Sequence, residues 1–145
     1  MAGTNSEPIF VKDAQYVSIE AEEAITLGQV VKIDQTSGLL KIATADDWPF
    51  GVAVGGDRFS RTQTDNQIAA GGKVTVCTRG IVRLTTDATA IVPGQYVETA
   101  DDGEVRLAGT SSHTVGNEHG RVVGMALEAN DSTDQTVIQV KLRML

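Results

Sequence analysis

A repeated pattern of glycines and short apolar runs constrains this chain more than any other feature. Residues 25–31 (ITLGQVV) make a short strand segment opened by Gly28-Gln29, turn through 34–38 (DQTSG) and leave by 39–42 (LLKI). Residues 91–97 (IVPGQYV) repeat this with Gly94-Gln95, turn through Asp101-Asp102-Gly103 and leave by 104–107 (EVRL). Asp102-Gly103 is a strong hairpin signal, because both central positions of a type I′ turn need positive φ. The copies go on to matching strands at 51–54 (GVAV) and 124–127 (GMAL). The match thus extends beyond one hairpin and predicts an internal duplication.

Between the copies runs 71–84 (GGKVTVCTRGIVRL). Val74 to Thr78 alternates as a strand with one buried face does, and Gly80 inside the run predicts a bulge or sharp bend rather than a stop. This stretch is expected to bridge two copies of one β unit. Tyr16 to Ile19 alternates as well, residues 20–24 (EAEEA) suggest a helical turn, and 136–142 (TVIQVKL) form a closing strand. Residues 55–70 lack alternation and predict an extended surface loop, and residues 108–121 form a second long connector. Many short strands, frequent Gly/Asp turns and almost no helix define an all-β fold, a small β-barrel or sandwich. With 4% aromatic residues, its core is built from Val, Ile, Leu and Ala.

Residues 13–145 are expected to form one domain. A chain of this length buries roughly 68–70% of its unfolded surface and folds without disulfides or metal. Residues 1–12 form an N-terminal arm, flexible alone and ordered against a partner, or else a first edge strand. The N-terminus lacks the basic and apolar regions of a secretory signal, and no apolar run approaches the ~20 residues of a membrane helix. A soluble protein made in the cytoplasm, with no membrane partner, is the expectation. The net charge of −7, with twelve basic residues scattered singly, argues against nucleic acid as a direct partner, which needs a basic patch.

A search for chemistry finds shape instead. His113 and His119 flank Glu118 in a glycine-containing loop, a spacing that puts no ligands on a common face, so no metal is expected. Asp46-Asp47, Asp101-Asp102 and Glu22-Glu23 lie where water solvates them, not where one of a pair would be desolvated for acid catalysis. The single Cys77 is a small buried residue with no base beside it. VGGD at 54–57 and AGGK at 70–73 match no phosphate-binding motif, and Lys73 enters a strand directly, unlike a carrier lysine at a hairpin tip. No cofactor and no enzymatic activity are expected. The Trp48-Pro49-Phe50 cluster has three readings: a plug for one end of the barrel, a subunit contact, or a ligand platform.

The Gly-Gln strand openers, the GVA strand, the GGKVTVCTRGIVRL bridge and the second unit ending in GMAL resemble the capsid-decoration proteins of tailed viruses of bacteria and archaea. The resemblance covers roughly residues 20–142. It implies a barrel-like or tulip-like β fold and homotrimers at three-fold or quasi-three-fold positions on the outer surface of the virion. It also implies an N-terminal arm on the major capsid protein, here Ser6, Glu7, Pro8, Ile9, Phe10 and Val11, with Trp48 and Phe50 as subunit contacts. The function implied is stabilisation of the shell against the pressure of packaged DNA. The alternative from the residues themselves is a ligand- or carbohydrate-binding domain using Trp48 and Phe50.

Overall fold

The alternation at the bridge is realised as two consecutive strands separated by one residue. The computed structural model describes residues 14–45, 47–56, 63–64, 66–87, 89–109, 122–131 and 136–143. The first eight strands are β1 (Gln15–Glu20), β2 (Ile25–Thr26), β3 (Val30–Ile33), β4 (Leu40–Ile42), β5 (Gly51–Gly56), β6 (Gln63–Thr64), β7 (Gln67–Ile68) and β8 (Lys73–Arg79). The rest are β9 (Ile81–Thr85), β10 (Ala90–Ile91), β11 (Tyr96–Thr99), β12 (Val105–Leu107), β13 (Val122–Ala126), β14 (Asn130–Asp131) and β15 (Val137–Leu142). A single 3-10 turn at Asp101–Gly103 joins β11 to β12, and no α-helix occurs among the described residues. The fold is all-β.

Topology shows that the duplication encompasses far more than the matching hairpins. One five-stranded sheet has the order β1-β8-β5-β3-β4, the other β9-β15-β13-β11-β12. These are one order written twice. The minor pairings repeat too, β2 with β7 and β10 with β14. In each unit one isolated parallel bridge, Ala21 to Leu40 and Thr86 to Val105, connects the two edges of the sheet, so each sheet curls into a small barrel.

Hydrogen bonds repeat with the strands. The Gly28 N–H donates to Ala53 O at 2.7 Å, and Gly94 to Ala126 O at 2.8 Å. Gln29 Oε1 accepts from the Thr26 N–H at 2.8 Å, and Gln95 Oε1 from Val92 at 2.9 Å. The Gly-Gln pair thus has a physical role. The glycine, at φ 97° or 92°, makes a corner other residues resist, and the glutamine amide caps it.

Inside the first barrel lie Ile25, Val31, Leu40, Ala53, Val74 and Val76. Their counterparts Ile91, Val97, Val105, Ala126, Ile138 and Val140 line the second. Gly51 and Gly124 are also paired by the duplication. A Cβ on Gly51 would lie 2.6 Å from Cys77 O, and one on Gly124 2.1 Å from Lys141 O. Two departures from the sequence expectations follow from pairing. Residues 20–24 make no helical turn: Glu20 ends β1 and the Ala21 N–H donates to Gly72 O at 2.9 Å. Residues 55–70 are not simply loop. β5 continues through Gly56, and β7 places Ile68, fully buried, in the core. A two-residue strand is too short for alternation to reveal.

Gly80, at φ 132°, is the bend that carries the chain from the first barrel to the second. The units then meet asymmetrically. On the outer wall of barrel one, Val30 pairs with Val52 and Val52 with Cys77, and all three are buried together with Ala43 in the cluster that contains the second core. The turn at Asp101–Gly103 docks beside them. The Gly103 N–H donates to Ala43 O at 2.9 Å, Gln29 Nε2 donates to Asp102 O at 2.9 Å, and Ala45 N–H to Asp101 Oδ1 at 3.3 Å. Asp102 (φ 58°) and Gly103 (φ 74°) both have positive φ, as the hairpin signal required.

A backbone carbonyl cannot retreat as a side chain can, so replacing Gly124 with Ala should destabilise the protein by about 1–3 kcal/mol through overpacking. Gly55→Ala, whose Cβ would meet nothing closer than 3.8 Å, should change stability little. Urea unfolding of the two variants checks the contrast.

Candidate capsid-contact and subunit-contact surfaces

The segment from Ala43 to Phe50 carries the most exposed large apolar side chain among the described residues. Trp48 retains 63% of its accessible surface. Its neighbour Asp47 fixes the loop. Asp47 Oδ2 receives the Lys32 ammonium of β3 at 2.8 Å and both the N–H and hydroxyl of Thr44 at 2.8 Å. Burial alone would raise the Asp47 carboxyl, but the Lys32 and Thr44 hydrogen bonds outweigh it and hold the group below its usual 3.8. The Phe50 N–H donates to Val31 O at 2.8 Å, and its ring packs on the first barrel's core. The two aromatics therefore part: Phe50 faces inward and Trp48 outward.

Other exposed apolar side chains are Tyr16, Val17, Val92, Tyr96, Leu127 and Val137. Tyr96 is held from the C-terminal strand, its hydroxyl accepting from Arg143 Nη1 at 2.5 Å with the guanidinium 5.3 Å from the ring centroid. Such cation–π contact keeps the ring fixed while leaving part of it open. Sequence reasoning missed Val17 and Tyr96 as surface features, because alternation alone does not tell which buried-looking face lacks a neighbour.

The titratable groups that are buried are structural. Glu98 is almost wholly buried, with Oε2 accepting from Arg106 Nε at 2.8 Å and Oε1 from the Gly109 N–H at 2.8 Å. Both oxygens are thereby satisfied, which a buried carboxylate requires. Asn130 ties β14 to the loop before β10, donating to Thr89 O at 2.7 Å and accepting from Thr136 Oγ1 at 2.7 Å. Cys77 is buried as the sequence suggested; burial pushes its thiol up, and its Sγ donates to Arg79 O at 3.0 Å. No group of His, Cys, Asp or Glu among the described residues is placed to hold a metal ion. His113, Glu118, His119 and Asp46 lie outside the described residues, as do Ser6, Glu7, Pro8, Ile9, Phe10 and Val11 of the arm.

Comparison with known proteins assigns this architecture. A family model for phage cement proteins matches residues 11–142, a span that takes in both barrels. The chain belongs to the phage cement protein family, and is thus a structural, capsid-associated component of a virion. Among solved structures it is similar to the N base of the head fiber gp8.5 in bacteriophage phi29, at 14% sequence identity and a TM-score of 0.59. That likeness covers 90% of this chain and 94% of the other, and concerns the fold. No curated protein matches the sequence.

The sign of the Asp47 effect predicts a pH dependence. A carboxyl whose folded pKa is depressed contributes stability above its unfolded value, and this is lost as pH falls below 3.8 through the lower folded value. Asp47→Asn should therefore lower stability at pH 6 by about 1 kcal/mol or less, and the difference from wild type should shrink at pH 3. Denaturant midpoints at the two pH values measure it. Cys77 should resist a thiol reagent in the native state and react once the protein is unfolded.

Proposed function

We propose that this protein binds the outer surface of the mature capsid through the major capsid protein, as homotrimers at three-fold or quasi-three-fold positions, and stabilises the shell against the internal pressure of packaged DNA. The observation that carries this reading is the match of residues 11–142 to the phage cement family. The protein performs no reaction in this reading. It adds interface area between shell subunits. The net charge of −7 suits a protein that faces solvent and does not touch DNA.

Residues 1–12 are the proposed arm, with Ser6 to Val11 on the major capsid protein, and residues 13–145 the domain it tethers. Trp48 is the proposed subunit contact of the homotrimer, since an exposed indole held by a latched loop loses little entropy on burial. Phe50 supports that loop from within. The same exposed ring sustains a second reading, a carbohydrate platform, because a fixed indole face stacks on sugars.

Co-sedimentation with mature, undecorated capsids tests the proposal. Saturable binding that weakens when residues 1–12 are removed is the expected result, and decorated capsids should withstand heating that opens bare ones. Absence of binding at any concentration would sink it. Trp48→Ala should weaken assembly of the homotrimer; loss of glycan binding with assembly intact would favour the carbohydrate reading instead.

A further inference from the structure

Three parts of the chain converge on the bend at Gly80. Gln15, next to the first described residue of the domain, pairs with Arg79, and its carbonyl accepts from Thr78 Oγ1 at 3.4 Å. Leu142 donates its N–H to Gly80 O at 2.8 Å, and Arg143 follows it. The chain preceding Ala14 therefore joins the barrels beside the same bend at which β15 leads out. The duplication adds a second regularity. Val74 and Val76 on β8 correspond to Ile138 and Val140 on β15, which puts Arg79 and Arg143 at matching positions of the two units. Both are exposed.

The charge at this end opposes that of the molecule. Strands β8, β9 and β15 hold no acidic residue. Arg83 on β9 and Lys141 on β15 are exposed. They project from one outer face of two adjacent strands, because Val82, Leu84, Val140 and Leu142 between them belong to the core. Arg83 pairs with Gln139, two residues from Lys141. Elsewhere cations are neutralised: Lys32 by Asp47, Lys41 by Glu22 and Asp34, Arg106 by Glu98. Arg79, Arg83 and Lys141 make no ion pair with a described residue, and Arg143 lies over the Tyr96 ring. Glu128 approaches β15 too, but its Oε1 accepts from the Gln139 backbone N–H at 2.7 Å. Cations that stand singly in the sequence are thus gathered by the bend and by the pairing of β9 with β15. Like charges held together repel, and an anionic surface laid against them relieves that cost.

We propose that this end of the molecule, with Arg79, Arg83, Lys141 and Arg143 around Gly80, is the face that docks on the shell, and that its counterpart there is an acidic protein surface. The capsid reading above is assumed, and the cluster gives it an orientation. The arm is rooted where the basic cluster stands, so both engage one partner, while Lys73 and the turn at 69–72, at the opposite end of β8, face away. Arm and cluster then act as two linked contacts, the second at high effective concentration once the first has formed. An acidic protein suits this face better than nucleic acid does. The molecule as a whole carries a charge of −7, which a long phosphate backbone would meet along its length, whereas a local acidic patch meets only the cluster.

Co-sedimentation of the full chain with mature, undecorated capsids, read together with arginine footprinting, tests it. Wild-type binding should weaken as salt rises from about 50 mM to about 500 mM, where exposed charges are screened. A variant carrying Arg79→Glu and Arg83→Glu should bind more weakly by on the order of tenfold. Lys73→Glu, at an exposed cation outside the cluster, should bind as wild type does. Circular dichroism and melting temperature should be unchanged in both. Phenylglyoxal should modify Arg79 and Arg83 in the free protein and spare them on capsids. Saturable wild-type binding that the double variant retains, or that Lys73→Glu weakens equally, would overturn the docking face and leave the capsid reading standing. Absence of wild-type binding would end both. A double variant whose mass in solution differs from wild type would give the cluster to contacts between copies, and duplex DNA binding that the double variant abolishes would give it to nucleic acid; either result overturns the proposal.

Discussion

The burial of three side chains, Val30, Val52 and Cys77, on what would otherwise be the outside of a barrel is the interaction on which the rest depends. A small five-stranded barrel has an inner face lined with apolar residues and an outer face left to water. Here the row Val30, Val52 and Cys77 on the outer face of the first unit is apolar, and it becomes interior because the second unit packs on it. Each fully buried valine contributes about 1.5–3 kcal/mol, which is a large share of the stability of a domain this size. The Gly103 and Gln29 bonds then fix how the units are rotated. Two folding units become one body at the cost of a single bend residue, Gly80.

That arrangement explains the distribution of polar chemistry. Buried carboxylate and amide groups serve as fasteners within a unit: Glu98 with Arg106 and Gly109, Asn130 with Thr89 and Thr136. Exposed ones shape turns, as Asp34 does by accepting from the Thr36 N–H at 2.7 Å, a bond that, with those from Ser37, holds its carboxyl below the usual value. The Asp47 latch belongs to the same class, and what it positions is an apolar ring. For a cement protein this is a coherent division of labour. Polar groups hold the barrels in shape, and exposed apolar groups on fixed backbones are left to make contacts.

Much of the fold was legible in the residues because it rests on local rules. Alternation at 74–78 gave β8, the Gly-Gln openers gave two equivalent corners, and Asp102-Gly103 gave a turn with two positive φ values. The duplication followed from these. What was not legible is equally physical. Two-residue strands such as β7 are too short for periodicity, and the Glu-rich segment at 20–24, despite its helical composition, starts as the last residue of β1 and continues with Ala21 bonded to Gly72 O and Glu22 to Leu40 O. Trp48 and Phe50 look alike in sequence, but one ring packs on the core and the other faces solvent, since only the fold decides which side of a loop has room.

The sequence by itself determined that this chain makes two copies of one β unit, bridged by residues 71–84 with a bend at Gly80, and where the main turns fall, because those depend on neighbours a few residues away. Only the tertiary structure decided which outer faces are buried. Val30 and Tyr96 occupy the same position in the two copies; one is sealed because the second barrel packs on the first, and the other keeps 38% of its surface, with no barrel wall on it among the described residues. Burial of an outer wall is a property of what lies against it, and that information is held by residues distant in sequence.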